Sequence, residues 1–322
     1  MIRLVAAFAT VGAVLFLVGG IVFLVPGLAG FIPVGSRAAA TPLATPSPSA
    51  STSPSPIPSP TPSPSPVNRS AAFKTLGVDL NRIAAKAGVR ASISLIELGG
   101  SSPAGLWSLG GDVQWPADST YKLPLLMAEA AGIASGQMRG SDKLCYRPSD
   151  YETGWYDDYA SGVCFTRDVL AQRVGEKSDN TAAHILVRYL GGSSALNAFA
   201  RKFGARASQF YLPNTTTSAD LARLLGAEAR GSAGGSAAQK WLYPILSNTN
   251  YEAGIPNGTK TGPVVHKVGF NGKSINDAAL VIHGPHGAYV LVVCSTGPGG
   301  AVGWETIARI ASRVWQFETV RP

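Results

Sequence analysis

Ser119-Thr120-Tyr121-Lys122 is the one Ser-x-x-Lys in the 322-residue chain, and it opens a helical stretch running to about residue 134. Asp118 or Ser119 is placed to cap the N-terminus of that helix. Spacing i, i+3 puts Ser119 and Lys122 on one face, a turn apart. A serine hydroxyl is a weak nucleophile until a neighbouring base takes its proton. A lysine serves as that base only when burial or a second cation lowers its pKa. By itself the pattern is common, because Ser and Lys often occupy first helical turns.

Two further stretches give it meaning. Ser178-Asp179-Asn180 follows 59 residues later, at the entry to another helix, where it reads alone as a cluster of capping residues. His266-Lys267-Val268-Gly269-Phe270 lies in a strand near the C-terminus. The order Ser-x-x-Lys, Ser-Asp-Asn, Lys-x-Gly resembles the class A β-lactamases and the wider penicillin-binding serine hydrolases. The resemblance spans residues 70–317 and takes in Leu190-Gly191-Gly192 and Asn214-Thr215-Thr216-Thr217.

That resemblance implies roles. Ser119 attacks a carbonyl, Lys122 helps remove its proton, and Lys267 keeps the site cationic. Ser178 relays a proton to the leaving nitrogen. Asn180 holds Lys122 and a substrate amide, while Asp179 braces its own loop. The backbone N–H groups of Ser119 and Phe270, the latter following Gly269, form the oxyanion hole. Lys260-Thr261-Gly262 matches the family's third motif more closely than Lys267 does. However, Pro263 follows it and has no N–H to donate, so Lys267 is expected in the site.

The chain departs from the family in two places. Val268 replaces a usual hydroxyl residue, which removes a hydrogen bond to a substrate carboxylate. The family's deacylating Glu has no counterpart, since residues 181–219 contain no Asp or Glu. Residues 178 and 267 are only 89 apart, so the loop that carries this Glu is trimmed to about 208–216. Slow deacylation is the expectation. Glu152 becomes a substitute if its loop folds over the cleft, and Tyr211, a neutral phenol, is a poorer base.

Around these motifs the periodicity predicts helices over 71–87, 167–174, 180–190, 194–203, 217–229 and 304–317. Strands are expected over 90–98, 264–270, 278–283 and 288–294, with 106–110 as a hairpin partner of the first. Residues 254–263 read as a loop. The expected fold is α/β, an α+β sandwich: an antiparallel sheet built from both ends of the domain, flanked by helices, with an inserted all-helical subdomain.

Residues 4–25 are an uncharged, almost wholly apolar run behind Arg3, long enough for a transmembrane helix. A cleaved signal peptide has a shorter apolar core, so an anchor (1–36) is favoured over cleavage and secretion. Residues 41–66 carry ten prolines, a composition that prefers extended polyproline II. Residues 37–69 are therefore read as a linker and 70–322 as the hydrolase domain. The expected location is the outer face of a cell membrane, single-pass.

Cys145 and Cys164 bracket a polar, aromatic loop and are expected to pair in an oxidising compartment, with Cys294 a small buried apolar residue. No cysteine or histidine spacing fits zinc, and no cofactor is expected. Trp155, Tyr156 and Tyr159 either wall the cleft or pack the loop. His184 reads as a packed histidine, and His283 and His286 as turn residues facing solvent. No Gly-x-Ser-x-Gly turn favours a Ser-His-Asp triad. The net charge of +8 comes without a basic-aromatic cluster, which argues against nucleic acid. The reading is a monomeric hydrolase opening a β-lactam through an acyl-enzyme on Ser119. Its rivals are a peptidoglycan D,D-peptidase or transpeptidase and a silent module that binds penicillin or wall peptides.

Overall fold

The computed structural model describes residues 69–247 and 249–321. The expected anchor and Pro-rich linker lie outside them, and among the described residues no helix is long and apolar enough to cross a membrane. Helix α1 (Arg69–Lys86) leads into β1 (Arg90–Glu97) and β2 (Leu106–Leu109), which form the expected hairpin. A short β3 (Trp115–Pro116) precedes a 3-10 turn, Asp118–Tyr121, and α2 (Lys122–Ala134). Strands β4 (Lys143–Cys145) and β5 (Cys164–Thr166) close the cysteine loop. Next come α3 (Arg167–Glu176), α4 (Asn180–Leu190), α5 (Gly192–Lys202), β6 (Thr215–Thr216), α6 (Ser218–Ala229), α7 (Gly235–Leu246) and the single turn α8 (Ile255–Gly258). The C-terminal part is β7 (Val265–Asn271), β8 (Ser274–Val281), β9 (Tyr289–Thr296) and α9 (Gly300–Thr319).

The main sheet runs β2-β1-β9-β8-β7 and is antiparallel throughout. It therefore joins strands from both ends of the domain, as expected. Side chains alternate across a strand, and β9 shows it. Val290, Val292 and Cys294 enter one apolar cluster with Ile96, Leu221 and Leu225, on the α6 side. Tyr289, Leu291 and Val293 enter a second with Leu76, Leu80, Ile307 and Val314, on the α1/α9 side. The ends of the domain are tied together at Glu97, whose buried carboxylate pairs with both Arg69 and Arg321.

Between the two groups of strands stands the helical part. Helix α2 is apolar nearly all round, and Leu123 through Ala130 are buried without exception, the pattern of a central helix. It packs against α3, α4, α5 and α7. Helix α7 was not predicted, because Gly231 and Gly234 precede it, Gly235 opens it and Pro244 lies inside it. Its signal was the spacing of the buried Ala238, Leu242, Ile245 and Leu246. The expected loop 254–263 is also corrected: its first part is α8, where Gly258 sits against the backbone of Ala308 too closely for a Cβ.

Candidate active site

Ser119 sits in the 3-10 turn ahead of α2, and neither Asp118 nor Ser119 caps a helix there. This corrects the expected cap. The Asp118 backbone has a φ of 47°, and its carboxylate accepts from Asn271 Nδ2 (3.0 Å) and Ser274 Oγ (2.7 Å). Asn214 Nδ2 donates to Asp118 O at 2.9 Å. The Ser119 turn is thus bolted to the β7–β8 hairpin on one side and to the 208–216 loop on the other.

Lys122 and Lys267, both buried, converge on Ser178. Lys122 Nζ lies 3.1 Å from Ser119 Oγ, 3.3 Å from Ser178 Oγ and 2.6 Å from Ser178 O, and it also donates to Asn180 Oδ1. Lys267 Nζ donates to Ser178 Oγ at 3.0 Å. Ser178 reaches this position with a φ of 59°, an uncommon conformation for a non-glycine residue. Burial brings the Lys122 ammonium down to about 7, against the opposing pull of Asp179 and Glu152. Burial, and then the nearby Lys122 charge, lowers Lys267 well below the usual lysine range. Lys260 is exposed in its loop.

Gly269 lies beside the nucleophile on the edge strand β7. The two-residue turn Gly272-Lys273 makes Asn271/Ser274 and Gly269/Asn276 the hydrogen-bonded pairs of the β7–β8 ladder. The N–H of Phe270 consequently points away from β8, toward the open edge. Phe270 is 44% exposed and lines the cavity with Ser119. Val268 is buried and contributes no hydroxyl.

The cavity at Ser119 is about 430 Å³ and also contains Glu152, Asn180, His184 and Tyr211. The loop closed by the Cys145–Cys164 disulfide folds over the start of α4. Asp179 caps α4 through Ala182 N (2.8 Å) and also accepts from Tyr159 Oη (2.7 Å) and Trp155 N (3.3 Å). Arg188 forks onto Asp150 at 2.9 and 2.7 Å. Thr181 Oγ1 both receives from Glu152 N (3.0 Å) and donates to Glu152 O (2.9 Å). Glu152 is thereby delivered to the cleft, where its Oε1 accepts from Asn180 Nδ2 at 2.6 Å.

His184 is packed, against Tyr211, and also lines the cavity. It is half-buried in the cavity, with Nε2 3.3 Å from Glu152 Oε2 and Nδ1 3.0 Å from Asp150 O. Trp155, Tyr156 and Tyr159 line a separate hollow on the loop, and the Arg173 guanidinium stacks on Tyr156 (4.0 Å) and Tyr159 (5.1 Å). Tyr156 and Tyr159 pack the loop, Trp155 is exposed, and none of the three lines the Ser119 cavity. His283 is exposed, and His286 is half-buried, 3.4 Å from Thr319 O. Cys294 is buried.

Behind β7, His266 is fully buried between Asp277 Oδ1 (3.0 Å) and Glu252 Oε1 (3.2 Å). Burial disfavours its cation, but the two carboxylates outweigh this and raise it to about 9. Nothing in the sequence patterns marked this brace beneath the Lys267 strand.

The model of the beta-lactamase enzyme family matches residues 75–317. A protein named beta-lactamase from Rhodobacter capsulatus is 32% identical over 132 residues, 41% of this chain. The match spans 44% of that relative's own length. Among solved structures, a mutant of PBP-A determined as its acyl-enzyme complex with penicillin G superposes with a TM-score of 0.69 at 24% identity, covering 76% of this chain and 96% of that one. A beta-lactamase from Sphaerobacter thermophilus DSM 20745 does so at 0.68 and 21%, covering 77% and 98%. At these identities the structures speak for the fold.

Proposed function

The chain belongs to the beta-lactamase enzyme family, and from that premise we propose that it opens a β-lactam by forming an acyl-enzyme on Ser119. The observation that carries this is Lys122 Nζ, held at a pKa of about 7 and 3.1 Å from Ser119 Oγ. A lysine largely neutral near pH 7.5 takes the serine proton as Oγ attacks the carbonyl. The two backbone N–H groups of Ser119 and Phe270 receive the developing oxyanion, a contribution of several kcal/mol in comparable sites. Ser178, between both lysines, hands a proton to the leaving nitrogen as the carbon–nitrogen bond breaks.

Deacylation is the slower step in this reading. Residues 181–219 supply no carboxylate, and the loop 208–216 offers only Tyr211, whose phenol is pushed further from ionisation by its burial. The same feature favours, as a second reading, a D,D-peptidase or transpeptidase whose acyl-enzyme waits for an amine acceptor. We further place the domain on the outer face of a membrane, tethered by residues 4–25 and spaced by 41–66; the Cys145–Cys164 disulfide supports an oxidising compartment.

Intact mass of the full chain after incubation with penicillin is the test. A penicilloyl adduct that vanishes in Ser119→Ala supports the acyl-enzyme, and an unmodified wild type overturns it. Turnover of a chromogenic cephalosporin against a D-Ala-D-Ala peptide separates the two readings.

A further inference from the structure

We propose that Glu152, brought in from the disulfide-closed loop, is the base that deprotonates the hydrolytic water, and that His184 positions its carboxylate and receives the proton. The inference rests on Ser119 being the acylated residue.

Two carboxylates line the Ser119 cavity among the described residues, Asp118 and Glu152. Both oxygens of Asp118 are engaged by Asn271 and Ser274 in holding the turn. Glu152 is the one whose carboxylate contacts lie inside the cavity, on Asn180 and His184. Its backbone is fixed at both N–H and C=O by one hydroxyl, Thr181 Oγ1, in the first turn of the helix that carries Asn180. Its Oε1 is tied to Asn180 Nδ2, and the same Asn180 side chain reaches Lys122 through Oδ1. A single amide therefore spaces the carboxylate from the lysine beside Ser119.

His184 completes the arrangement. Its Nδ1 faces a carbonyl, Asp150 O, and a carbonyl only accepts, so Nδ1 carries the hydrogen. Its Nε2 is turned toward Glu152 Oε2, 3.3 Å away. Tyr211 fixes the imidazole edge-on at 5.4 Å. A proton taken by Glu152 is accordingly in line with the ring nitrogen that can pass it on.

Water gives a proton to Glu152 while its oxygen bonds to the acyl carbon. The tetrahedral intermediate collapses, the bond from that carbon to Ser119 Oγ breaks, and Oγ recovers a proton from Lys122. The product leaves as an acid, and the proton on Glu152 passes through His184 to solvent, which returns to Ser178 the proton it gave to the leaving nitrogen. The Glu152 side chain is 51% exposed. A base so open to water has competing solvent contacts, which keeps this half of the reaction the slower one.

The test follows the adduct on Ser119 by intact mass in the full chain, for wild type and Glu152→Gln. The variant should still form the adduct and retain it at least ~10²-fold longer, the usual cost of losing a general base. His184→Gln should lengthen its lifetime about tenfold. Hydroxylamine, a nucleophile that needs no base, should clear the adduct equally fast from all three, a rescue that a distorted site would not give. Clearance of the Glu152→Gln adduct by water at the wild-type rate overturns the inference alone, as does failure of hydroxylamine to release it. No adduct on the wild type overturns the Ser119 reading and this inference with it.

Discussion

A Cβ placed on Gly269 would lie 2.8 Å from the backbone nitrogen of Ser119 and 2.6 Å from the carbonyl of Ala117. The obstacle is backbone on both counts, so neither neighbour can rotate away. The strand carrying Lys267 and Phe270 and the turn carrying the nucleophile are therefore set against each other with room for hydrogen only. Gly269→Ala is expected to push β7 away and displace the Phe270 N–H, lowering the acylation rate about 10²–10³-fold, as loss of one oxyanion donor does. Stopped-flow acylation by a chromogenic cephalosporin measures it, and a change under threefold would contradict the close-approach account.

Lys267 and Lys260 should rank oppositely to their motif resemblance. Lys267→Ala removes the nearer of two lysine donors to Ser178 Oγ and is expected to abolish labelling of Ser119. Lys260→Ala, in an exposed loop, should stay within twofold of wild type. The same labelling assay decides between them, and the reverse ranking would refute the assignment.

Acylation should depend on pH through Lys122. The lysine is a base only when neutral, and its pKa is held at about 7. The second-order acylation rate is therefore expected to rise about tenfold per unit below pH 7 and to level off above it. A rate that is flat from pH 5 to 9, or that falls over that range, would rule out Lys122 as the proton acceptor.

Glu228 on α6 should act on stability, not on catalysis. It is 1% exposed, neither carboxylate oxygen has a hydrogen-bond partner, and burial raises its carboxyl from 4.5 to about 7. The native state keeps a proton that the unfolded chain releases above 4.5. This residue thus subtracts from stability progressively between pH 4.5 and 7, and by a constant amount beyond. Glu228→Gln is expected to gain roughly 2 kcal/mol more at pH 8 than at pH 4. Thermal unfolding at both values tests this, and equal shifts in Tm would negate it.

Opening the disulfide should cost both stability and turnover. A 19-residue separation corresponds to about 3 kcal/mol in the chain-entropy model, or roughly 6–12 °C in Tm for a domain of this size. Cys145→Ser with Cys164→Ser should also lengthen the adduct lifetime, because the loop that delivers Glu152 is slackened. Lifetimes unchanged from wild type would separate the loop from deacylation.

Most of the architecture was legible because it rests on periodicity. β9 was readable as a strand and α4 as a helix that Gly191 stops, although the two cores that β9 serves were not. Helix α7 was lost among glycines. In the site, the three motifs specified Ser119, Lys122, Ser178, Asn180 and Lys267, each placed by a local element. Glu152 and His184 could only be weighed singly. Their meeting depends on Thr181 gripping a loop 29 residues upstream, and a contact of that kind leaves no period or spacing behind. The pairing of His266 with Asp277 and Glu252 was invisible for the same reason.

The tie of Arg69 and Arg321 to Glu97, with β1 seated against β9, also constrains how the protein comes into being. During synthesis, residues 90–97 are made some two hundred residues before their partner, Tyr289–Thr296. Six of those eight side chains are destined for burial, and until then the nascent strand presents an apolar edge, the kind that pairs promiscuously. Ser119 emerges early too, yet the groups that clamp its turn, Asn271 and Ser274, come about 150 residues later. The clamp on the nucleophile's turn is therefore complete only once β7 and β8 have been made. A polypeptide stopped short of β9 has a long unpaired strand and no assembled centre, which marks it for aggregation or proteolysis.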